Sequence, residues 1–538
     1  MAEDLDGGEF EAVLAASLGR MGRRVLHLDA LPFYGETSST HDLDQLEECL
    51  EQLSSGGQGG AYGLHFDEDK IARSIKVAAW EATECDKMGR PVIEDGCSRG
   101  RPDRLTAMPS NRRPIMYANV RVEAREEPKQ GEAKKHFNID LSPRLNLSSG
   151  RMISSLVQSG VGRYLEFVPL KWTSFLDGSS PAPCLCKIPM SKAEIFQSKI
   201  ITPMEKRLLM KFLQQSVVLG GVSEAAAGGW AIEGIGESER EQLGFQRAVG
   251  HVGNAKHAEE EARLTEKLKD FIALGICFSS RDLPLPKAVE RVTTYTRSLG
   301  RYADSAFLCC LYGASELPQG FCRMSAVYGG TYVLRKGPSQ FLFKDDGSAG
   351  GIICNDGKIF RAPLIFCSPF YCPKELLTSP NSLGNDMVEE RVVSRCICIS
   401  ERAIGDDGSS LLVLPPRSCD NSVPIRVLQL DWSTQSAPRG LYLWLLWASE
   451  LGSFDLSSAV TLLESMTGSS CVKRVIYYHQ LRQGFWVTPN LSPAVDSGEA
   501  IEVAEAIFRQ IVGSEHVFLD AMQEPESGID EEYHKILE

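Results

Sequence analysis

The stretch from Phe10 to Asp29 constrains the fold more than any other part of the chain. Phe10, Val13, Leu14, Ser17 and Leu18 recur at helical spacing. Gly19 and Gly22 mark a stop and a turn, and Val25 to Leu28 follows as a short strand closed by Asp29. Helix, turn, strand and acid in that order make the second half of a nucleotide-binding βαβ unit. The first half is not legible. A dinucleotide fold opens with a buried apolar strand running into G-x-G-x-x-G, whereas MAEDLD stands before Gly7. Gly7 and Gly8 read as a remnant of the glycine turn or, more simply, as a plain linker. The 21-residue step from Gly8 to Asp29 fits a ribose-binding acid, and a strand-end cap is the simpler reading of Asp29. A shortened start of the coding sequence is the expected reason for the missing strand.

Downstream, sheet-like and helix-like patterns take turns. Asp42 to Leu53 is acidic with helical character, Ser54 to Gly63 has linker composition, and 84–113 is rich in Arg, Gly and Pro without periodicity. Residues 40–135 are therefore expected to form a loop-rich insertion. Met152 to Ser159 places Ile153, Leu156 and Val157 on one helical face, and Tyr164 to Val168 alternates like a strand. From Ser191 the spacing is helical again: Ile195, Phe196 and Ile200, then Met204, Leu208, Leu209, Phe212 and Leu213, and later Leu268, Phe271, Ile272 and Leu274. Ser191 with Glu194 is a capping-box signature, and 220–262 has linker composition. After residue 300 the pattern turns to strands at Ser325 to Leu334, Gly350 to Arg361, Leu364 to Cys367, Val392 to Ser400, Leu411 to Leu414, Ile425 to Leu430 and Leu441 to Trp447. Helices are expected at Ser458 to Glu464 and Glu499 to Val512. The expected fold is α/β: a discontinuous multi-sheet domain, 1–190 and 281–538, with an all-helical domain, 191–280, inserted in it.

Charge and motif content narrow the function by exclusion. With 71 acids against 57 bases the net charge is −14, which counts against a nucleic-acid binder. The most apolar run, Leu441 to Ala448, is about half of the ~20 residues a spanning helix needs and reads as a buried strand. The N-terminus carries no basic-then-apolar leader, and no Cys stands four from the C-terminus, so a cytoplasmic protein without its own lipid anchor is expected. The 16 cysteines are expected to be reduced. The pairs Cys184/Cys186, Cys309/Cys310 and Cys396/Cys398 have neither C-x₂-C spacing nor a flanking His, so no metal is expected. No Walker loop, G-x-S-x-G element or H-E-x-x-H pair occurs, and neither a catalytic constellation nor a cofactor is expected.

The most specific stretch is Leu299 to Leu334, LGRYADSAFLCCLYGASELPQGFCRMSAVYGGTYVL. It resembles the signature segment shared by Rab GDP-dissociation inhibitors and Rab escort proteins. Val25 to Glu36 (VLHLDALPFYGE) and Phe137 to Phe167 resemble two further signatures of that superfamily, in the same order. The helical run Pro189 to Lys199 followed by Thr202 to Phe212, and the length of the chain, resemble the escort branch.

The resemblance implies a flavoprotein-like fold and a carrier's function. Such a protein binds GDP-bound Rab GTPases and presents them to the Rab geranylgeranyltransferase α/β heterodimer. It then keeps the geranylgeranyl lipid of the product out of water until transient membrane contact delivers it. Carried over by position, the resemblance assigns Rab binding to Tyr34, Arg301, Glu316, Gln319 and Arg323, and lipid binding to the helical domain, with Leu209, Phe212, Phe271 and Ile272 as apolar candidates. The chain departs from the family where Glu36 follows Gly35 in place of a second glycine, at Ser315, and at Val333. Two other functions fit parts of the pattern: an FAD-dependent oxidoreductase on the same fold, and an interaction protein that no longer binds Rab.

Overall fold

The computed structural model describes residues 7–52, 106–109, 116–124, 136–177, 184–189, 192–198, 201–219, 265–279, 285–344, 349–368, 371–372, 391–450, 452–481 and 498–519. Three apolar runs form its centre. Ser410–Leu414, Ile425–Leu430 and Tyr442–Ala448 are buried at every position but Tyr442, as expected of strands covered on both faces. They are neighbours in an eight-stranded sheet. Its order is Tyr117–Ala124, Lys473–Leu481, Arg391–Ser400, Tyr442–Ala448, Ile425–Leu430, Ser410–Leu414, Trp172–Asp177, Cys184–Lys187. All pairings are antiparallel except Trp172–Asp177 with Ser410–Leu414.

The two-residue period sorts side chains between two cores. Leu443, Leu445, Trp447, Leu411, Val413, Ile397 and Ile399 face one core. Trp444, Leu446, Leu412, Leu414, Cys396 and Cys398 face the other, under the helix Ser457–Thr467. The first core also takes in Ile195, Leu209, Phe212, Leu213, Leu268, Ile272 and Val292 from a helical group. That group comprises Lys192–Gln197, Pro203–Leu219, Glu266–Asp270 running on as the π-helical turn Phe271–Ile276, and Leu285–Ser298. It includes a helix beyond residue 280, because Leu285–Ser298 packs on Pro203–Leu219. Its N-terminal lock is Thr202 with Glu205: Glu205 Oε2 accepts from Thr202 N (3.0 Å) and Oγ1 (2.9 Å), and Thr202 Oγ1 accepts from Glu205 N. Ser191, the expected capping residue, and the linkers 54–63 and 220–262 lie outside the described residues.

A third core is built around the helix Gly7–Arg20, which is buried on nearly every side from Glu9 to Leu18. Arg151–Ser159, Glu316–Val327 and Gly498–Val512 pack around it through Met152, Leu156, Phe321, Ala504 and Phe508. The expected strand follows as Leu26–Leu28 and pairs in parallel with Thr331–Val333. The α/β expectation therefore holds.

Four local expectations are corrected. Within the stretch read as loop-rich, Thr106–Pro109 and Tyr117–Ala124 are strands; the second is a largely exposed sheet edge in which Val120 and Val122 alternate with Asn119, Arg121 and Glu123. Ser325 to Val327 are helical, because Leu317, Phe321 and Met324 continue one buried face, and the strand starts only at Thr331, past a turn with Gly329 at φ 85°. Tyr164 closes a 3₁₀ turn, Val161–Tyr164, and the strand is Phe167–Pro169. Leu364 to Cys367 is no strand: a strand needs a hydrogen-bonded neighbour, and none pairs with it among the described residues.

Candidate functional site

The three signature segments, far apart in sequence, meet at one turn. Thr40–His41, just after the first segment, pairs antiparallel with Ile139–Asp140 of the Phe137–Phe167 segment. Asp140 is buried. Its Oδ1 accepts from Thr40 Oγ1 at 2.6 Å and from the backbone N–H of Ala314 at 2.9 Å. Thr40 Oγ1 in turn accepts from Ser315 N at 3.1 Å. Burial pushes the Asp140 carboxyl up to about 6, against the pull of those two donors. The turn closes onto this pair only because residue 313 is glycine. Its φ is 109°, and a Cβ there would stand 2.5 Å from Thr40 Oγ1 and 2.8 Å from Asp140 Oδ1.

The helix Glu316–Val327 starts at that turn. Leu317, Pro318, Gly320, Phe321, Cys322, Met324 and Ser325 are buried, which leaves Glu316, Gln319 and Arg323 on the outer face at i, i+3 and i+7. Glu316 is half-buried, and burial raises its carboxyl above the usual range. Gln319 Nε2 donates to Ser315 Oγ at 3.2 Å. The Arg323 guanidinium lies 4.3 Å from the ring centre of the exposed Tyr164, close enough for a cation–π contact.

Tyr34 stands beside this helix. Gly35, at φ 95°, brings its backbone so close that a Cβ would lie 3.2 Å from Pro318 Cγ. The Tyr34 ring meets Tyr332 edge-on at 6.2 Å. Burial first, then the neighbouring Cys322 and Asp29, raises its phenol above the ordinary value. Tyr34, Glu316, Gln319 and Arg323 thus share one region. Arg301 is held by other contacts. It sits before the strand Phe307–Cys310, whereas the helix starts after it, and its contacts are Ser149 Oγ (3.2 Å) and the Tyr302 ring.

Several positioning residues escaped the sequence reading. Thr40, Asp140 and Gly313 fix the turn, and Glu205 closes a second cap. Thr202-Pro-Met-Glu205 is itself a T-x-x-E signature, so that one was findable. Asp29 Oδ1 accepts from Leu31 N at 2.9 Å, closing the turn after the strand. A small, largely apolar cavity lies between the sheet and the helical group, lined by Phe175, Cys186, Ile201, Leu268 and Phe271 with Lys187, Ser198 and Glu205. Of the four apolar candidates Phe271 borders it, while Leu209, Phe212 and Ile272 lie in the adjoining core. Among the described residues no His, Cys, Asp and Glu cluster suits a metal ion, and no helix is long and apolar enough to cross a membrane. An acid and a cation on one helix face, flanked by tyrosines, are chemistry for docking a protein.

The fold places the chain in a class of α/β proteins that holds both carriers and oxidoreductases. The crystal structure of Rab GDI from Plasmodium falciparum superposes with a TM-score of 0.65 at 18% identity, covering 97% of this chain and 99% of that one. An oxidoreductase from Methanosarcina mazei superposes with a TM-score of 0.50 at 10% identity, covering 92% of each chain. The family is defined by sequence. The profile described as GDP dissociation inhibitor matches residues 111–219 and 251–514. The chain belongs to the GDP dissociation inhibitor family. It is similar to Rab escort protein 1 of Arabidopsis thaliana, 26% identical over 98% of this chain and 94% of that protein. It is similar too to Rab proteins geranylgeranyltransferase component A of Drosophila melanogaster, 25% identical over 87% of this chain and 78% of that protein.

Proposed function

We propose that this protein is a Rab escort protein. It binds Rab GTPases in the GDP form, presents them to the Rab geranylgeranyltransferase heterodimer, and carries the prenylated product through the cytosol to a membrane. The observation that carries this reading is the outer face of the helix Glu316–Val327. Its acid, amide and cation are held beside Tyr34 by the Asp140–Thr40–Gly313 lock. Membership of the GDP dissociation inhibitor family and the names of the relatives support it.

The mechanism is one of binding alone. Arg323 and Glu316 orient the GTPase by charge, and the tyrosines supply rigid contact area at low entropic cost. Arg301 makes a separate contact beyond the strand Phe307–Cys310. The helical group beside Phe271 shelters the lipid: at about 0.8 kcal/mol per CH₂, two isoprenoid chains expose well over ~10 kcal/mol of apolar surface to water. The prenyl-transfer chemistry belongs to the transferase, and this chain acts as its accessory subunit.

Equilibrium titration of the protein with the same Rab loaded with GDP or with a GTP analogue tests the reading. Tighter binding of the GDP form supports it. Equal affinity, or no binding of either form, refutes it.

A further inference from the structure

Glu36 belongs to the first signature, but the docking surface does not use its chemistry. Three observations set it apart. Its backbone sits at φ 45°, in the left-handed region that favours glycine. Its side chain is buried, 6% exposed, although a carboxylate is costly to take from water. Its two carboxylate oxygens lie 2.9 and 3.2 Å from the hydroxyl of Ser368, which donates to them and is itself buried. A strained backbone and a buried acid persist together only where the surroundings over-determine them.

The surroundings show what is being held. Tyr34, Gly35 and Glu36 form one short loop. On one side Gly35 presses on Pro318, in the first turn of the helix that carries Glu316, Gln319 and Arg323. On the other side Glu36 is bonded to Ser368, whose carbonyl accepts from Tyr371 N–H at 3.0 Å. The loop is pinned between the two. Its 3₁₀ continuation, Glu36–Ser38, leads directly to Thr40 of the Asp140 lock.

We propose that Glu36 is a positioning residue: its bond to Ser368 clamps the Tyr34 loop in the geometry that docks the GTPase. This deepens the escort reading and rests on it. The clamp accounts for an acid where the family has glycine. Glycine would relax the backbone there but remove the bond to Ser368.

The test separates clamping from folding. Glu36→Gly removes the clamp and relieves the φ strain, so the thermal midpoint should stay within a degree or two of wild type or rise, by the logic of glycine at positive φ. Affinity for GDP-loaded Rab should nevertheless fall about 2- to 10-fold, the cost of ordering a released loop on binding. Ser368→Ala should also weaken binding, and the double variant no further than Glu36→Gly, because removing Glu36 already removes its bond to Ser368. Glu36→Gln, which keeps an acceptor for Ser368, should recover most of the affinity. Should Glu36→Gly fail to fold, Ser368→Ala and Glu36→Gln carry the test alone. Unchanged affinity in Ser368→Ala and Glu36→Gly overturns the clamp. So does a loss that tracks the thermal midpoint, or additive losses in the double variant. Absence of Rab binding by the wild-type protein overturns the escort reading itself, so the two failures are distinguishable.

Discussion

Gly313→Ala attacks the lock on which the docking helix is built. The φ of 109° at this position is one that a residue with a Cβ adopts at a cost of about 1–3 kcal/mol. The added methyl would stand 2.5 Å from both Thr40 Oγ1 and Cγ2 and 2.8 Å from Asp140 Oδ1. Neither neighbour is the loose end of a flexible chain, because Thr40 and Asp140 are bonded to each other and to the turn. Relieving the contact means breaking bonds at the buried carboxylate or shifting backbone, about 1–3 kcal/mol more. The total, about 2–6 kcal/mol, is a large share of the 5–15 kcal/mol typical of a folded domain. Urea unfolding of the two proteins measures it. In a Thr40→Ala background, which removes two of the three clashing atoms, the same substitution should cost at least ~1 kcal/mol less. A Gly313→Ala protein within about 0.5 kcal/mol of wild type would refute the reasoning, since that is the range of an uninvolved surface site.

Two further predictions concern the same region. Arg323→Ala should weaken binding of GDP-loaded Rab by about 1–3 kcal/mol, read by titration calorimetry, with no loss of thermal stability because the side chain is exposed; unchanged affinity would show that the docking face lies elsewhere. Asp140 has a folded value of about 6 against its ordinary 3.8. A raised carboxyl favours the folded state most below the lower value, and that stability is lost as pH rises through the higher one. Asp140→Asn, which keeps an acceptor for Ala314 N–H, should therefore be more stable relative to wild type at pH 7 than at pH 4, by about 2 kcal/mol. Parallel stability profiles for the two proteins would contradict the shift.

What the sequence disclosed follows the range of the interactions. Leu443 to Ala448 and Leu411 to Leu414 advertise buried strands because burial depends on each residue's own side chain. The helix Gly7–Arg20 is likewise legible from Phe10, Val13, Leu14 and Leu18. The edge strand Tyr117–Ala124 shows its period too, since Val120 and Val122 alternate with Asn119, Arg121 and Glu123, but the aperiodic Arg-, Gly- and Pro-rich run before it masks the signal. The site divides in the same way. Glu316, Gln319 and Arg323 fall on one helix face by spacing alone. The Asp140 lock spans 100 residues to Thr40 and 174 to Ala314, and only the folded chain brings those groups together. Glu36 was visible as a departure from the family pattern, but Ser368, 332 residues away, gives it a role. Arg301 belongs to the same signature segment, and its side chain is held by Ser149 Oγ and the Tyr302 ring.

The central claim is that this chain delivers Rab GTPases to the prenyltransferase. In vitro transfer of labelled geranylgeranyl onto a GDP-loaded Rab by purified Rab geranylgeranyltransferase tests it most directly, with and without the protein. The account predicts incorporation that depends on the protein and saturates with its concentration, with the prenylated Rab remaining in the supernatant after centrifugation. Equal incorporation without the protein, or none with it, would contradict the account.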